Sequence, residues 1–448
     1  MKPIWLVCLT ALAASCDPQE ADWGLDAIRT LQTPPDEPGL GCGAQLPIDT
    51  HADERARCEY PAGTRAAAAL GSSAEALAAI PIRHVIILMR ENRSFDHLFG
   101  KLHERGQPGV EAVPESFSNP DQAGAQVFPA PATTTCIAND PGHQSESMRR
   151  CVDCGRMDGF VRNAAATTPT DGHFVMDYYD DSDLPFYYWL ARTFAVSDRH
   201  FSPNASGTFA NRAFLVFATN AGVVDTGIVF PLPSTPSLFH LLMNAGFTWA
   251  AYSDGLPFSG SLDWNQGDAG VHRLRDLYDA LDRGTLPNVA FVDGVEDVDD
   301  DHPTADLQLG EARMKSVYEH AISSPQWQRL AMFWTYDEAG AFADHVPPPR
   351  GCLPLPTRSP LTELGPRVPF VAISPWAKRG YASHVVHDHT AITRFIEAIF
   401  DLPSLSARDA NSDALLDLFD FSCARDLSGP AAPEPGGGGC PRLQNSRN

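Results

Sequence analysis

Two pairs of residues with oxygen-bearing side chains follow apolar runs in this sequence. Glu91 and Asn92 come directly after the apolar run 84–90, and Asp337 and Glu338 follow a second run. Carboxylate and amide oxygens suit a hard or borderline divalent cation. Each pair alone is equally typical of a polar turn that caps a helix. At two strand ends of one sheet, however, the carboxylates would repel each other without a cation. Together the pairs favour a metal site.

A hydroxyl-rich segment precedes a predicted helix at 209–220, and it contains Ser202, Ser206 and Thr208. A hydroxyl at a helix N-terminus lies beside unpaired amide groups and the positive end of the helix dipole. This position favours an alkoxide and binds phosphate. Spacing alone favours a simpler interpretation, in which Ser206 or Thr208 caps the helix.

Several histidines lie beside acidic residues or prolines. Imidazole can act as a general acid or carry a transferable positive charge. The chain has 15 histidines, and for any single one a structural or exposed role is the simpler interpretation. The acidic run 296–301 lacks the EF-hand spacing, so a solvated loop is expected there rather than a calcium loop. The candidate histidines are His143, His302, His345, His387 and His389.

The elements around these residues alternate between short apolar runs and amphipathic segments. This alternation predicts an α/β fold with a mostly parallel central sheet and helices on both faces. In such sheets the ligand crevice lies outside the carboxyl ends of the strands. Strands are predicted at 84–90, 248–253, 288–293, 331–337 and 368–374, and helices at 185–196, 209–220, 237–245, 305–323 and 389–400.

Composition narrows the possible partners. The 448 residues can bury a large core, and the formal net charge is -23. Nucleic-acid binders cluster Lys and Arg against the phosphate backbone, so no nucleic-acid partner is expected. A phosphate-bearing substrate remains compatible with this charge, because a bound metal reverses the local field.

The ends of the chain differ from its centre. Residues 1–16 have the pattern of a signal peptide, and Cys16 matches the lipidated residue of a bacterial lipoprotein, although plain secretion stays open. An exported protein is therefore expected, in the cell envelope or secreted, with membrane contact only through this N-terminal lipid anchor. Residues 17–80 are predicted to be a tether or loosely packed extension, 81–425 the catalytic domain, and 426–448 an irregular tail.

Eight cysteines lie outside the predicted leader, and an even number in an exported chain suggests disulfides. The simplest pairing joins neighbours, Cys42 with Cys58 and Cys423 with Cys440. The spacing of Cys151 and Cys154 could indicate zinc, but no second such pair follows. A structural disulfide role is therefore favoured there.

Residues 81–422, which contain all of the candidate site residues, resemble the phosphoesterase family that contains bacterial phosphatidylcholine-type phospholipases C and a broad-specificity acid phosphatase. That family is related in fold to alkaline phosphatases and sulfatases. Its opening signature is matched by HVIILMRENRSFDHLFG at 84–100. Further matching segments follow in the expected order at 157–161, 183–188, 198–212, 301–303, 323–327, 335–338, 344–349 and 388–390.

The resemblance implies metal-dependent hydrolysis of phosphoric esters, of the phospholipase C or acid phosphatase type. It implies that Thr208 is the nucleophile, forms a phospho-threonine intermediate and also touches one divalent metal ion of unspecified identity. His143 and His302 would flank the phosphoryl group, one of them as general acid to the leaving group. The other implied metal ligands are Glu91, Asn92, Asp337 and Glu338.

Three departures from the family pattern leave the substrate open. Arg149 stands where members often have a second histidine, Ala339-Gly340-Ala341 replaces His-Gly-Gly, and Ser206-Gly207-Thr208 replaces Gly-Pro-Thr. These changes indicate an altered substrate or metal environment. They also leave open a non-catalytic surface lipoprotein that keeps the fold as a binding module. Sulfatase chemistry is disfavoured because no cysteine lies between 202 and 212.

Overall fold

The apolar run His84–Arg90 forms a strand in which every residue after the first is buried. Such continuous burial is typical of a strand covered on both faces. The computed structural model describes residues 48–223, 236–258, 270–354, 363–421 and 428–437. By its internal contacts the chain divides after Asp36, and all described residues belong to the unit Glu37–Asn448.

The described strands, numbered in chain order, are β1 His84–Arg90, β2 Asn119–Pro120, β3 Gln126–Val127, β4 Ala130–Pro131, β5 Asp177–Tyr178, β6 Ala195–Ser197, β7 Trp249–Tyr252, β8 Val271–His272, β9 Val289–Asp293, β10 Leu330–Tyr336, β11 Phe370–Ile373 and β12 Tyr381–Ser383. The described α-helices are Ala52–Ala56, Ala66–Leu70, Ala74–Ala78, Phe95–Phe99, Ser145–Val152, Phe160–Thr167, Pro185–Thr193, Thr208–Phe217, Leu238–Asn244, Leu274–Arg283, Leu307–Ser323, His389–Phe400 and Ala407–Ala410.

The central sheet has the strand order β12-β6-β11-β10-β1-β9-β7-β8. The five consecutive strands β10, β1, β9, β7 and β8 pair in parallel with one another, and β12 is parallel to β6. Strand β11 is antiparallel to both β10 and β6. The predicted mostly parallel sheet is therefore confirmed. The direction of β11 was not predictable, because a short buried run looks the same in either orientation.

Two adjacent residues of β10 show that helices cover both faces of the sheet. The ring of Trp334 lies 4.3 Å from that of Tyr187 in the helix Pro185–Thr193. The ring of Phe333 lies 5.1 Å from that of Phe395 in the helix His389–Phe400. Neighbouring side chains of a strand point to opposite faces. The predicted α/β architecture with helices on both faces is confirmed.

The segment before β1 is more structured than the sequence suggested. Residues 52–78 contain three short helices, and Leu70, Leu77 and Ile80 belong to the main hydrophobic core. The prediction of a tether or loosely packed extension is therefore wrong for these residues. Helices of five residues are too short to show an amphipathic period, which explains the miss. The predicted leader and the start of the predicted tether lie outside the described residues.

Residues 428–437 contain neither helix nor strand. They lie along the helix Leu307–Ser323, where Tyr318 Oη donates to Pro430 O at 2.7 Å. Gly436 N donates to Glu311 Oε2 at 2.8 Å. This part of the predicted irregular tail is therefore held by hydrogen bonds to one helix.

A disulfide joins Cys58 to Cys352 across a sequence separation of 294 residues. The predicted pairing of Cys58 with Cys42 is therefore wrong, because the fold brings the distant Cys352 against Cys58. Cys151 and Cys154 are free thiols, one buried and one exposed, so the predicted disulfide role is wrong for them. Cys42, Cys423 and Cys440 lie outside the described residues. No helix among the described residues is both long and apolar enough to cross a membrane.

Candidate active site

Three neighbouring strands of the sheet end in acidic residues at one edge. Asp293 is the last residue of β9, Glu91 follows β1, and Asp337 follows β10. Strand β1 pairs in parallel with both others, and Met89 lies beside Asp293. All three acidic side chains are 4% exposed or less. Asp293 was not among the site residues predicted from the sequence, although its place at the end of a third predicted strand could have identified it.

The turn after β1 is tied to the turn after β10. Asn92 has φ +60°, a left-handed conformation that asparagine tolerates better than most residues. Its backbone N–H donates to Asp337 Oδ1 at 3.0 Å, and the N–H of Glu338 donates to the same oxygen at 2.7 Å. The two residue pairs predicted to share a metal are therefore brought together.

The side-chain amide of Asn92 lies directly against two carboxylates. One terminal atom of this amide is 3.0 Å from Glu338 Oε1 and 3.3 Å from Asp337 Oδ1. With nitrogen in that place, the amide donates to both carboxylates; with oxygen there, the three oxygens need a cation between them. Among the described residues, Asp337 Oδ2 has no hydrogen-bond partner. The donor set and this orphaned oxygen fit a divalent cation that prefers oxygen ligands.

Burial makes negative charge costly at this edge. Burial and the neighbouring Asp337 raise the pKa of Glu91 well above its usual value, although Arg212 opposes this. Burial is also the main cause that raises the pKa of Glu338 to about 8. Both shifts show that these carboxylates lack sufficient positive charge from the protein alone.

Thr208 is the first residue of the helix Thr208–Phe217. Its Oγ1 donates to Glu91 Oε2 at 3.0 Å. The N-cap is Gly207, with no side-chain capping hydrogen bond, so the interpretation of Ser206 or Thr208 as a cap is wrong. Instead, Asn211 holds the preceding loop, since its Nδ2 donates to Ser206 O at 2.7 Å and to Gly207 O at 3.2 Å.

His143 and His302 lie together on the other side of Asn92, with ring centroids 6.0 Å apart. Each Nδ1 faces a backbone carbonyl, Pro141 O at 2.9 Å and Pro303 O at 2.7 Å. These contacts place the proton of a neutral imidazole on Nδ1. The Nε2 atoms of His143 and His302 lie 3.4 and 2.9 Å from the Asn92 amide, so these are the nitrogens that face the site.

The charge on His143 is set by its acidic neighbours. Burial lowers the pKa of His143, but Glu338 and Asp140 outweigh it and raise the pKa to about 10. Its Nε2 lies 4.0 Å from Glu338 Oε1, and its Nδ1 lies 3.3 Å from Asp140 Oδ1. These acidic neighbours favour the protonated form of His143 beside the acidic strand ends.

The other candidate histidines lie outside this group. His345 bonds Asp96 through Nδ1 at 2.6 Å, and His387 Nε2 lies 3.3 Å from Asp413 Oδ1. His389 is buried and its Nε2 donates to the backbone oxygen of Asp337 at 2.8 Å, so it supports the turn after β10. Arg149 is exposed on the helix Ser145–Val152.

The acidic run 296–301 is only partly a solvated loop, because its last three residues are 5% exposed or less. The backbone carbonyls of these three residues accept hydrogen bonds, in order, from Arg90 Nη1 at 2.6 Å, Glu91 N at 3.0 Å and Arg93 Nε at 2.8 Å. The expectation of a solvated loop is therefore wrong for them. Their main chain supports β1, which the side-chain charges alone could not reveal.

The turn Ala339-Gly340-Ala341 is buried, and it needs two left-handed residues. A Cβ at Gly340 (φ +61°) would lie 2.4 Å from the backbone oxygen of Asn92. Ala341 has φ +57°, where a Cβ costs about 1–2 kcal/mol. A glycine at this position would remove that cost, but its greater conformational freedom in the unfolded chain offsets about 0.5–1 kcal/mol of the gain.

We therefore expect Ala341→Gly to increase the free energy of unfolding by about 0.5–1 kcal/mol. Urea denaturation of the two proteins measures the difference. Ala343→Gly is the matched control, since Ala343 is buried without a left-handed backbone, and we expect it to be destabilising. A decrease in stability for Ala341→Gly of the same size as the control would contradict the strain at this position.

Comparison with known proteins gives concordant matches. The sequence model of the Phosphoesterase family matches residues 82–403. Non-specific phospholipase C1 of Arabidopsis thaliana is 31% identical over 373 residues, covering 74% of this chain and 69% of that protein. Phospholipase C B of Mycobacterium tuberculosis is 29% identical over 432 residues, covering 81% of this chain and 82% of that protein.

Among solved structures, the chain is similar to a protein in the alkaline phosphatase superfamily from Vibrio parahaemolyticus. The TM-score is 0.40 and the identity 8%, with coverage of 75% of this chain and 69% of that chain. The family match spans most of the sequence and includes every residue of the strand-end group. This chain belongs to the phosphoesterase family and is a phosphoric ester hydrolase.

Proposed function

We propose that this enzyme cleaves phospholipids in the manner of a phospholipase C, with Thr208 as nucleophile and one divalent metal ion. The observation that carries the proposal is the hydrogen bond of 3.0 Å from Thr208 Oγ1 to Glu91 Oε2 at the start of a helix. The phospholipase C names of relatives at about 30% identity support this substrate class. An acid phosphatase-type reaction on phosphomonoesters is the alternative.

The metal ligands in this proposal are Glu91, Asn92, Thr208, Asp337 and Glu338. Their support is the cluster of acceptor oxygens around the Asn92 amide and the orphaned Asp337 Oδ2. When bound, a divalent ion lowers the pKa of a coordinated hydroxyl and stabilises charge on the phosphoryl oxygens. A hydrogen bond ties the turn after β1 to the turn after β10, and this contact restricts the movement of the ligands on the two turns.

In the first half of the reaction, the Thr208 oxygen attacks phosphorus and loses its proton toward Glu91 Oε2. The bond from phosphorus to the oxygen of diacylglycerol breaks, and this oxygen takes a proton from Nε2 of His143 or His302. The products are diacylglycerol and a phosphodiester between Thr208 and the head group. In-line positioning by the helix start supplies much of the rate.

In the second half, water attacks the phosphorus of the phospho-threonine. The histidine that gave up its proton accepts one from this water, as microscopic reversibility requires. The bond from phosphorus to Thr208 breaks, Glu91 returns its proton to the Thr208 oxygen, and the phosphorylated head group leaves. The Nδ1 contacts to the carbonyls of Pro141 and Pro303 hold each ring with Nε2 toward the site throughout.

The test is a substrate panel with the purified full chain. We expect turnover of p-nitrophenylphosphorylcholine and of phosphatidylcholine vesicles, with release of diacylglycerol and phosphocholine. EDTA should abolish this turnover and Mn²⁺ should restore it. Turnover of p-nitrophenyl phosphate alone would replace the phospholipase assignment by a phosphatase one. Absence of turnover on the whole panel, with divalent metals present, would contradict the proposal and favour the binding-module alternative.

A further inference from the structure

Arg212 lies across the three acidic strand ends. It is one helical turn after Thr208, at a spacing of four residues that places both side chains on one face of the helix. One terminal nitrogen is paired with Glu91 Oε1, and the other with Asp293 Oδ1. Its Nε lies 3.7 Å from Asp337 Oδ2. The guanidinium therefore contacts one carboxylate from each of three neighbouring strand ends.

The local charges require more than one cation. Glu91, Asp293, Asp337 and Glu338 are all 4% exposed or less. Buried carboxylates need paired positive charge, because burial removes their solvation by water. Arg212, itself fully buried, is permanently protonated and supplies a charge that neither pH nor a chelator removes. A divalent ion on the opposite side of Glu91 would balance most of the remainder.

The two carboxylate oxygens of Glu91 face two different groups. Oε1 is held by Arg212, whereas Oε2 accepts the hydrogen bond of Thr208. In two-metal hydrolases, ions about 3.5–4 Å apart share bridging ligands in this way and stabilise both the attacking and the leaving oxygen. Here the guanidinium stands in one of the two positions that Glu91 serves.

We propose that Arg212 is a positioning residue that occupies the place of a second metal ion and thereby limits the centre to one divalent ion. This inference rests on the proposed function, because it takes the metal site of Glu91, Asn92, Thr208, Asp337 and Glu338 as given. Through its pair with Glu91, Arg212 also directs Glu91 Oε2 toward Thr208.

The decisive measurement is the number of Mn²⁺ ions bound by the full chain. After removal of metal with EDTA, the protein is titrated with Mn²⁺, separated from free ion and measured by elemental analysis and EPR. We expect one Mn²⁺ per chain and the spectrum of an isolated ion. Two Mn²⁺ per chain, or the spectrum of a spin-coupled pair, would overturn the inference.

Asp293→Asn tests the same point with a nearly isosteric change. Asp293 binds Arg212 but is outside the proposed metal ligands, so the variant should still bind one Mn²⁺. If Asp293 were instead a ligand in a two-metal centre, the variant would lose one of two ions. Two ions in the wild-type protein, with one of them lost in Asp293→Asn, would overturn the inference even where a change at Arg212 prevents folding.

Arg212→Ser removes the guanidinium and leaves three carboxylates with space between them. In folded protein we expect a second Mn²⁺ per chain and a spin-coupled EPR spectrum. Arg408→Ser is the matched control, because Arg408 is another buried arginine paired with a carboxylate, Asp388, and it should retain one Mn²⁺. An Arg212→Ser protein with the same single Mn²⁺ and the same affinity as wild type would contradict the proposal.

Failure of this inference and failure of the proposed function give different results. Two bound Mn²⁺ ions in an active enzyme would refute the role of Arg212 and the count of one metal ion, and would leave phosphoric ester hydrolysis by Thr208 standing. Absence of Mn²⁺ binding together with absence of turnover on the phosphate ester panel would refute the proposed function itself.

Discussion

Replacement of Thr208 by alanine is expected to reduce kcat on p-nitrophenylphosphorylcholine by about 10⁴-fold or more, the scale seen when a hydrolase loses its nucleophile. The Thr208 hydroxyl lies at the helix start and bonds Glu91 Oε2 at 3.0 Å. Without it, water would have to attack the substrate directly, and the metal would lose one ligand. The binding of substrate depends on other groups, so KM should change far less than kcat. Steady-state kinetics at saturating Mn²⁺ separates the two parameters.

Two controls distinguish the loss of a nucleophile from disturbance of the loop. Thr208→Ser keeps the hydroxyl and should retain activity within about tenfold. Ser206→Ala removes a neighbouring buried hydroxyl and should stay close to wild type. Acid quench during turnover followed by mass spectrometry should find one phosphorylcholine group on the Thr208 peptide in wild type and none in Thr208→Ala. An alanine variant with near-wild-type kcat would exclude Thr208 as the nucleophile.

The part of this site that is predictable from the sequence lies at the ends of long buried strands. Residues 84–90 form β1 as predicted, and the helix His389–Phe400 has the predicted bounds. Polar residues that follow neighbouring parallel strands must meet at one edge, whatever the details of packing. This constraint explains why the sequence alone could predict that Glu91 and Asp337 lie close together.

Features that depend on distant packing were not predictable in this way. Residues 195 and 196 were expected at the end of a helix, yet they lie in β6, and the helix ends at Thr193. A three-residue apolar run carries too little periodicity to separate strand from helix. The helix Leu274–Arg283 was missed as well. Arg212 stands in the predicted nucleophile helix, but its contact with Asp293 joins residues 81 positions apart.

A second buried arginine, Arg367, supports the helix that follows the site. Its Nη2 donates to Asp96 Oδ1 at 2.7 Å and its Nε donates to Asp344 Oδ1 at 2.9 Å. His345 Nδ1 lies 2.6 Å from Asp96 Oδ2. Arg367 and Asp344 are fully buried and Asp96 is 7% exposed, so neither carboxylate can rely on water for solvation.

Arg367→Met keeps the volume of the side chain but removes its charge. We expect a decrease of about 3–5 kcal/mol in the free energy of unfolding near pH 7.5, because two buried carboxylates are left without their shared partner. Urea denaturation measures the loss. Arg283→Met is the matched control, since the exposed pair of Arg283 with Asp279 should contribute less than about 0.5 kcal/mol.

The pH dependence of this loss identifies its cause. Burial raises the pKa of Asp344 to about 6, although Arg367 opposes the shift. Burial also raises the pKa of Asp96, but Arg367 and His345 outweigh it and lower this pKa below the usual value. Without Arg367 both pKa values should rise.

A carboxyl whose pKa is higher in the folded state binds protons preferentially on folding, so its cost to stability falls as the pH decreases through that pKa. Asp96 in the wild-type protein behaves oppositely, and its contribution is lost only below its ordinary range, well under pH 5. Between about pH 7.5 and pH 5, protonation of Asp344 should therefore relieve the variant more than the wild type. The difference between the two proteins should shrink by about 1 kcal/mol or more. An equal loss at both pH values would show that Arg367 acts through packing, because its contacts with Asp96 and Asp344 would then carry no net electrostatic stabilisation.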